Sequence, residues 1–172
     1  MASRAVVIVS GGDAVSPFTT PDAACTIGLA AGNTDTALRQ HLLARGHRVF
    51  TSPAMNARGP VVDQLEGFGP FGGMPLALPE HLTVNSTGDI DLAGEHLARF
   101  LTYLHTDHGV DTLDIVAHSM GGLFSRSAIR LLQLMQSPLR VRSLTTLGTP
   151  WQGPVVGDFT IGDVDLSAAV DD

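Results

Sequence analysis

One segment of this 172-residue chain has the residue types and spacing for nucleophilic chemistry: Ala117-His118-Ser119-Met120-Gly121. The serine follows a strand-like run, Leu113–Ala117, and precedes a helical one, with a small residue two positions away on each side. That pattern fits a tight, strained strand-to-helix turn that lifts a hydroxyl to the mouth of a sheet. Small residues are needed because the strand and helix backbones pass close behind the serine. The N–H of Met120, opening the helix, would point to where a carbonyl oxygen turns negative. The chemistry is attack by the Ser119 hydroxyl on a carbonyl carbon and acyl transfer through a covalent intermediate. A serine that merely caps a helix is the other reading; the strand before it and the helix after it favour the nucleophile.

Other reactive residue types fit worse. His118 adjoins the serine, but a base must reach the nucleophile at hydrogen-bond distance, and a packing role is expected for it. His105 and His108, with Asp107 between, lack a third strong ligand and read as solvated rather than metal-binding. Gly11-Gly12 lacks the spacing and the lysine of a phosphate loop. Cys25 is the single cysteine and reads as a small apolar residue. Neither a metal nor any other cofactor is expected.

The serine needs a scaffold, and the chain alternates strand and helix patterns around it. Ala5–Val9 is a continuous apolar run ending at Ser10-Gly11-Gly12, as expected of a strand buried on both faces. Asp13 to Gly32 reads as a loop, with short structure around Ala23–Ala30. Asn33 caps a helix to about Arg45, with Ala37, Leu38, His41 and Leu42 on one side. Val49–Thr51 is a second strand. Asn56 to Leu92, rich in Gly, Pro and Phe, reads as a long excursion. Asp91 caps a helix to about His108, with Leu92, Leu97, Leu101 and Leu104 at helical spacing. Leu113–Ala117 is the third strand. Met120 to about Gln136 is a helix with Leu123, Ile129, Leu131, Leu132 and Met135 as its apolar positions. Val141–Leu147 is a fourth strand. The pattern predicts an α/β domain with a mostly parallel sheet and flanking helices. Residues 1–153 form this core, and residues 154–172 are an acidic, irregular C-terminal segment.

Composition agrees with a buried core. Hydrophobic residues make up 44% and charged residues 16%, against about 25% charged in typical soluble domains. All the cations are arginine, and the net charge is −7, which disfavours nucleic acid or an anionic membrane as partner. No segment reaches the ~20 apolar residues of a membrane span. The start lacks the apolar stretch of a signal peptide, so a cytoplasmic location is the default, with secretion left open.

Three segments together carry a family resemblance. They are Val116-Ala117-His118-Ser119-Met120-Gly121-Gly122, Leu147-Gly148-Thr149-Pro150-Trp151-Gln152-Gly153, and the first strand with its Gly11-Gly12 turn. In type and order they resemble the α/β-hydrolase superfamily, and within it the bacterial lipases and esterases, from Ala5 to about Gly153. The resemblance implies an α/β-hydrolase fold and hydrolysis of a small-molecule or lipid ester, with Ser119 as the acylated nucleophile. It implies an oxyanion hole made by the N–H of Met120 and one from the loop after the first strand, from Gly12 or, one register away, Gly11 or Asp13.

The chain departs from that family in two respects, its histidines and its strand count. The family order is serine, acid, histidine, whereas His41, His47, His81, His96, His105, His108 and His118 all precede Ser119. Asp158, Asp163 and Asp165 stand where some lipases place the acid, and nothing singles one out. Four strands, against about eight in the family, fit an N-terminal portion lacking the later strands. The fourth strand would then leave an edge for a partner chain or a second copy to cover. The expected function is therefore serine-dependent ester hydrolysis, with a catalytically incomplete fragment or binding module as the alternative.

Overall fold

The computed structural model of the chain describes residues 3–22, 34–61 and 76–152. Its elements, in chain order, are β1 (Arg4–Val9), α1 (Thr34–Ala44), β2 (Val49–Thr51), β3 (Ala54–Met55), a 3-10 turn (Glu80–Leu82), β4 (Val84–Asn85), α2 (Ile90–His108), β5 (Thr112–His118), α3 (Gly121–Leu134) and β6 (Arg140–Leu147). Four strands form one parallel sheet in the order β2-β1-β5-β6. It is an α/β fold with helices on both faces.

The apolar runs explain the burial. Residues 5–9 of β1 are all buried, because alternate side chains point to opposite faces and both faces are covered. Val7 and Val9 join Leu113, Ile115 and Ala117 of β5 in a large core with α2 and α3. Val6, Ile8 and Val49 form a second, smaller core against Leu38, Leu42 and Leu43 of α1. Each fully buried Leu or Phe contributes about 1.5–3 kcal/mol, so the larger core, with Phe50, Phe100 and Phe124 at its centre, carries most of the stability.

The helices depart from the sequence pattern in instructive ways. In α1 the buried residues are Asp35, Thr36 and Arg39, while Ala37 and His41, expected on the apolar side, are exposed. This helix fixes polar groups as much as it fills a core: Arg39 is wholly buried and donates to the carbonyls of Val49 and Thr20. The cap of α2 is Asp89, not Asp91; its carboxylate accepts from the N–H groups of Asp91 and Leu92 at 2.8 and 3.1 Å. In α3 the buried face is Gly121, Gly122, Phe124, Ser125, Ala128 and Leu132. Of the apolar positions expected there only Leu132 is fully buried, and Met135 is exposed. Small residues line that face because α3 lies close to its neighbours: a Cβ on Gly94 of α2 would meet Ser127 of α3 at 2.5 Å from its Cβ.

The excursion expected over residues 56–92 holds more structure than its composition suggests. The 3-10 turn, β4 and the start of α2 all lie within it, and β4 pairs in parallel with β3. Strands of two residues are too short for a period-2 pattern to reveal. Residues 62–75 of the excursion, including Gly67–Phe71, lie outside the described residues. So do the proposed cap Asn33, Cys25 with Ala23–Ala30, and residues 153–172. Among the described residues, no helix is long and apolar enough to cross a membrane.

The loop after β1 doubles back along the sheet edge. Ser16 and Thr19 make antiparallel bridges to Ala54 and Thr51, so the outer side of β2 is partly paired rather than open. Among the described residues β6 stands at the other end of the sheet, with a one-residue irregularity opposite Leu113/Asp114. Asp114, buried on β5, there takes hydrogen bonds from Arg142 Nε at 2.8 Å, from Arg4 Nε at 2.6 Å and from Ser143 Oγ.

Candidate active site

The strand order decides where a site can form. The chain leaves β1 for β2 with α1 on one face, and leaves β5 for β6 with α3 on the other. The loops after β1 and β5 therefore part in opposite directions and open a crevice at the C-terminal ends of the strands, the usual ligand position in open α/β sheets. That crevice is a cleft of about 270 Å³ lined by Gly11, Gly12, Ala14, Thr34, Asp35, His118 and Ser119.

Ser119 lies in the turn between β5 and α3 with φ of +51°, in the left-handed region. Such a backbone is uncommon outside Gly, Asn and Asp and costs about 1–2 kcal/mol. Three bonds hold it there. Ser119 N–H donates to the Leu147 carbonyl at 2.8 Å. Its own carbonyl accepts from Gly122 N–H at 3.1 Å and from Thr149 Oγ1 at 2.8 Å. The segment Leu147–Thr149 thus braces the serine from the next strand.

Small residues are required on every side of this turn. A Cβ on Gly121 would lie 2.5 and 2.6 Å from the carbonyl oxygens of Ser10 and Val9. One on Gly11 would lie 2.7 Å from Ser119 Cβ and 3.3 Å from its Oγ, and one on Gly12 would lie 2.7 Å from Met120 Sδ. The loop after β1 therefore rests directly on Ser119 and Met120. Among the described residues, neither the Gly12 nor the Met120 N–H donates a hydrogen bond, whereas the Asp13 N–H points to the Ser86 carbonyl at 3.4 Å.

Among the described residues, one histidine lines the cleft and others have partners elsewhere. His118 is half-buried and lines the same cleft as Ser119; among the described residues no histidine ring bonds to Ser119 Oγ. His105 Nδ1 lies 2.8 Å from the Val110 carbonyl, and His108 Nε2 lies 3.2 Å from the Tyr103 hydroxyl. The two rings weighed as a metal pair thus have separate partners. His96, buried on α2, faces the Thr83 carbonyl at 2.8 Å. Asp158, Asp163 and Asp165 lie outside the described residues.

Sequence reasoning missed the polar residues that support the cleft. Asp35 and Thr34 open α1 and line it. Buried Ser10 and Ser16 lie beside Asp35, and Ser86 holds the loop after β1 by donating to the Ala14 carbonyl at 2.7 Å. The one signal in the sequence was an aspartate in the first turn of a helix, which is common at any helix start. A larger groove of about 500 Å³, on the α2–α3 side, is lined by Leu82, Ala98, Leu131 and Met135 among others, with no serine or cysteine.

The model of a family described as "Putative serine esterase (DUF676)" matches residues 78–161, a little under half of the chain. The chain is serine hydrolase-like. The matched stretch contains α2, β5, Ser119, α3 and β6, the elements that build and brace the serine turn. No curated protein matches the chain.

Proposed function

We propose that the cleft hydrolyses carboxylic esters, in the manner of a lipase or esterase, through an acyl-enzyme on Ser119. The observation that carries this reading is the strained Ser119 turn at the mouth of the cleft, with the loop after β1 packed on it. The Ser119 oxygen attacks the ester carbonyl carbon, its proton leaves with the alcohol, and water then releases the acid and restores the hydroxyl. The Met120 and Gly12 N–H groups are the donors for the oxyanion. Both are backbone groups without another partner among the described residues, so they are preorganised to bind developing negative charge.

A second reading is a binding module that keeps the turn without turnover. It is favoured by one observation: no described histidine ring bonds to Ser119 Oγ. Without a base the hydroxyl is a weak nucleophile at neutral pH, and oxyanion binding alone leaves roughly 10³–10⁴ over water in the serine-protease case.

The two readings part on a single experiment. The chain and its Ser119→Ala variant are treated with an alkyl fluorophosphonate, and adducts are read by intact mass. Loss of fluoride and gain of one phosphonyl group on the parent alone supports the hydrolase reading. No adduct on a folded parent overturns it in favour of the binding module.

A further inference from the structure

Three buried side chains meet directly behind the loop that packs on Ser119. Ser10 Oγ donates to Asp35 Oδ2, and Ser10 and Ser16 share a hydrogen bond of 2.6 Å between their hydroxyls. Ser10, Ser16 and Asp35 are 3%, 2% and 6% exposed. A serine hydroxyl has one proton. With that of Ser10 committed to the carboxylate, the Ser16 hydroxyl must donate to Ser10. The order is therefore Ser16 to Ser10 to Asp35, ending on the carboxyl oxygen Oδ2. Serial hydrogen bonds of this kind polarise one another.

The two ends of this relay are fixed to different parts of the fold. Ser16 is bound to β3 through reciprocal backbone bonds with Ala54 at 2.8 and 2.9 Å. Asp35 stands in the first turn of α1. Ser10 is the last residue before Gly11 and Gly12, whose lack of side chains gives that loop little stiffness of its own. We infer that Asp35, acting through Ser10 and Ser16, is a positioning group that holds the Gly11–Gly12 backbone at the distance from Ser119 that an oxyanion donor needs. The inference rests on the ester-hydrolase reading for its purpose, but the mechanical claim is independent of it. Asp35 touches no reacting atom in this role. Its effect is on the rate of the acyl-transfer step and not on how tightly substrate binds.

The test uses the full chain with Ser10→Ala, Asp35→Ala and Asp35→Asn, each checked for folding by its melting transition. Two quantities are read: backbone ¹⁵N order parameters at Gly11 and Gly12, and the fluorophosphonate rate on Ser119 split into a saturation constant and a maximal rate. For Ser10→Ala, order parameters should fall from the rigid range near ~0.85 towards ~0.6. The maximal labelling rate should fall about tenfold, with the saturation constant unchanged, as for a lost transition-state interaction of about 1.4 kcal/mol. Asp35→Asn keeps an acceptor for Ser10 and should retain most of both values. If Asp35→Ala does not fold, Ser10→Ala carries the test. Unchanged order parameters in folded Ser10→Ala overturn the inference, as does a loosened loop with an undiminished labelling rate. Loosened glycines in a chain whose parent never labels would leave the positioning intact and sink the hydrolase reading instead.

Discussion

Gly11 lies so close to Ser119 that a single added methyl would stand 2.7 Å from the Ser119 Cβ. The two residues come from loops after different strands, and the parallel pairing of β1 with β5, through Val9 and Ala117, sets them side by side.

Gly11→Ala should therefore disturb the serine more than the fold. Its Cβ would meet Ser119 Cβ at 2.7 Å and the His118 carbonyl oxygen at 3.1 Å, so the turn must shift, and the loss in stability is about 1–3 kcal/mol. Gly121→Ala should cost more than Gly11→Ala, because its Cβ meets the backbone carbonyl oxygens of Val9, the last residue of β1, and of Ser10 next to it. Urea unfolding of the two variants gives the order. Equal costs would mean that α3 can slide away from β1.

Ser119→Gly and Ser119→Ala remove the same hydroxyl but differ in backbone. Glycine adopts a φ of +51° without the Cβ penalty. The glycine variant should be the more stable of the two by about 1 kcal/mol. Thermal melting of the pair checks this, and a less stable glycine variant would show that the turn stores no such strain.

Asp114 should give the fold an acid-sensitive component. Burial pushes its carboxyl up, but hydrogen bonds from Arg142, Ser143 and Arg4 outweigh burial and hold it below the ordinary carboxylate value. A carboxylate depressed in the folded state stabilises above its unfolded value, near ~3.9. That contribution is lost as pH falls through the folded value. Asp114→Ala should cost about 2–3 kcal/mol at neutral pH, less than a fully buried pair because Arg4 and Arg142 are half exposed. Its stability should also change less than the parent's below about pH 4. Parallel pH titrations of unfolding free energy decide the point.

His108 should act over a higher pH range. Its ring sits 5.2 Å from those of Phe50 and Tyr103 and 5.8 Å from that of Phe18. Burial first, and then the charge of Arg48, lower its pKa below the usual histidine value. The unfolded chain thus takes up a proton that the folded one resists. Stability is unaffected above about pH 6.5 and falls as pH drops from there towards the folded value. His108→Phe should flatten that slope while keeping the aromatic cluster. A variant as pH-dependent as the parent between about pH 6.5 and 5 would assign the slope to another group.

The sequence by itself determined the main strands and helices and singled out Ser119. Uninterrupted β-branched runs mark strands covered on both faces, and the small residues at 117 and 121 follow from local sterics at the turn. It placed Leu38, Leu42 and Leu132 on packed faces but could not determine the rest of the faces of α1 and α3. Buried Asp35 and Arg39 break the hydrophobic pattern, and close packing selects glycine and alanine where a periodicity argument looks for leucine. β3 and β4, at two residues each, carry no period to read. The pairing of β1 with β5 was decided only in three dimensions. It brings Gly11 and Gly12 onto a serine far along the chain and sets the Ser16–Ser10–Asp35 relay behind them. Contacts of that kind depend on strand order, which long-range pairing fixes and local residue patterns do not encode.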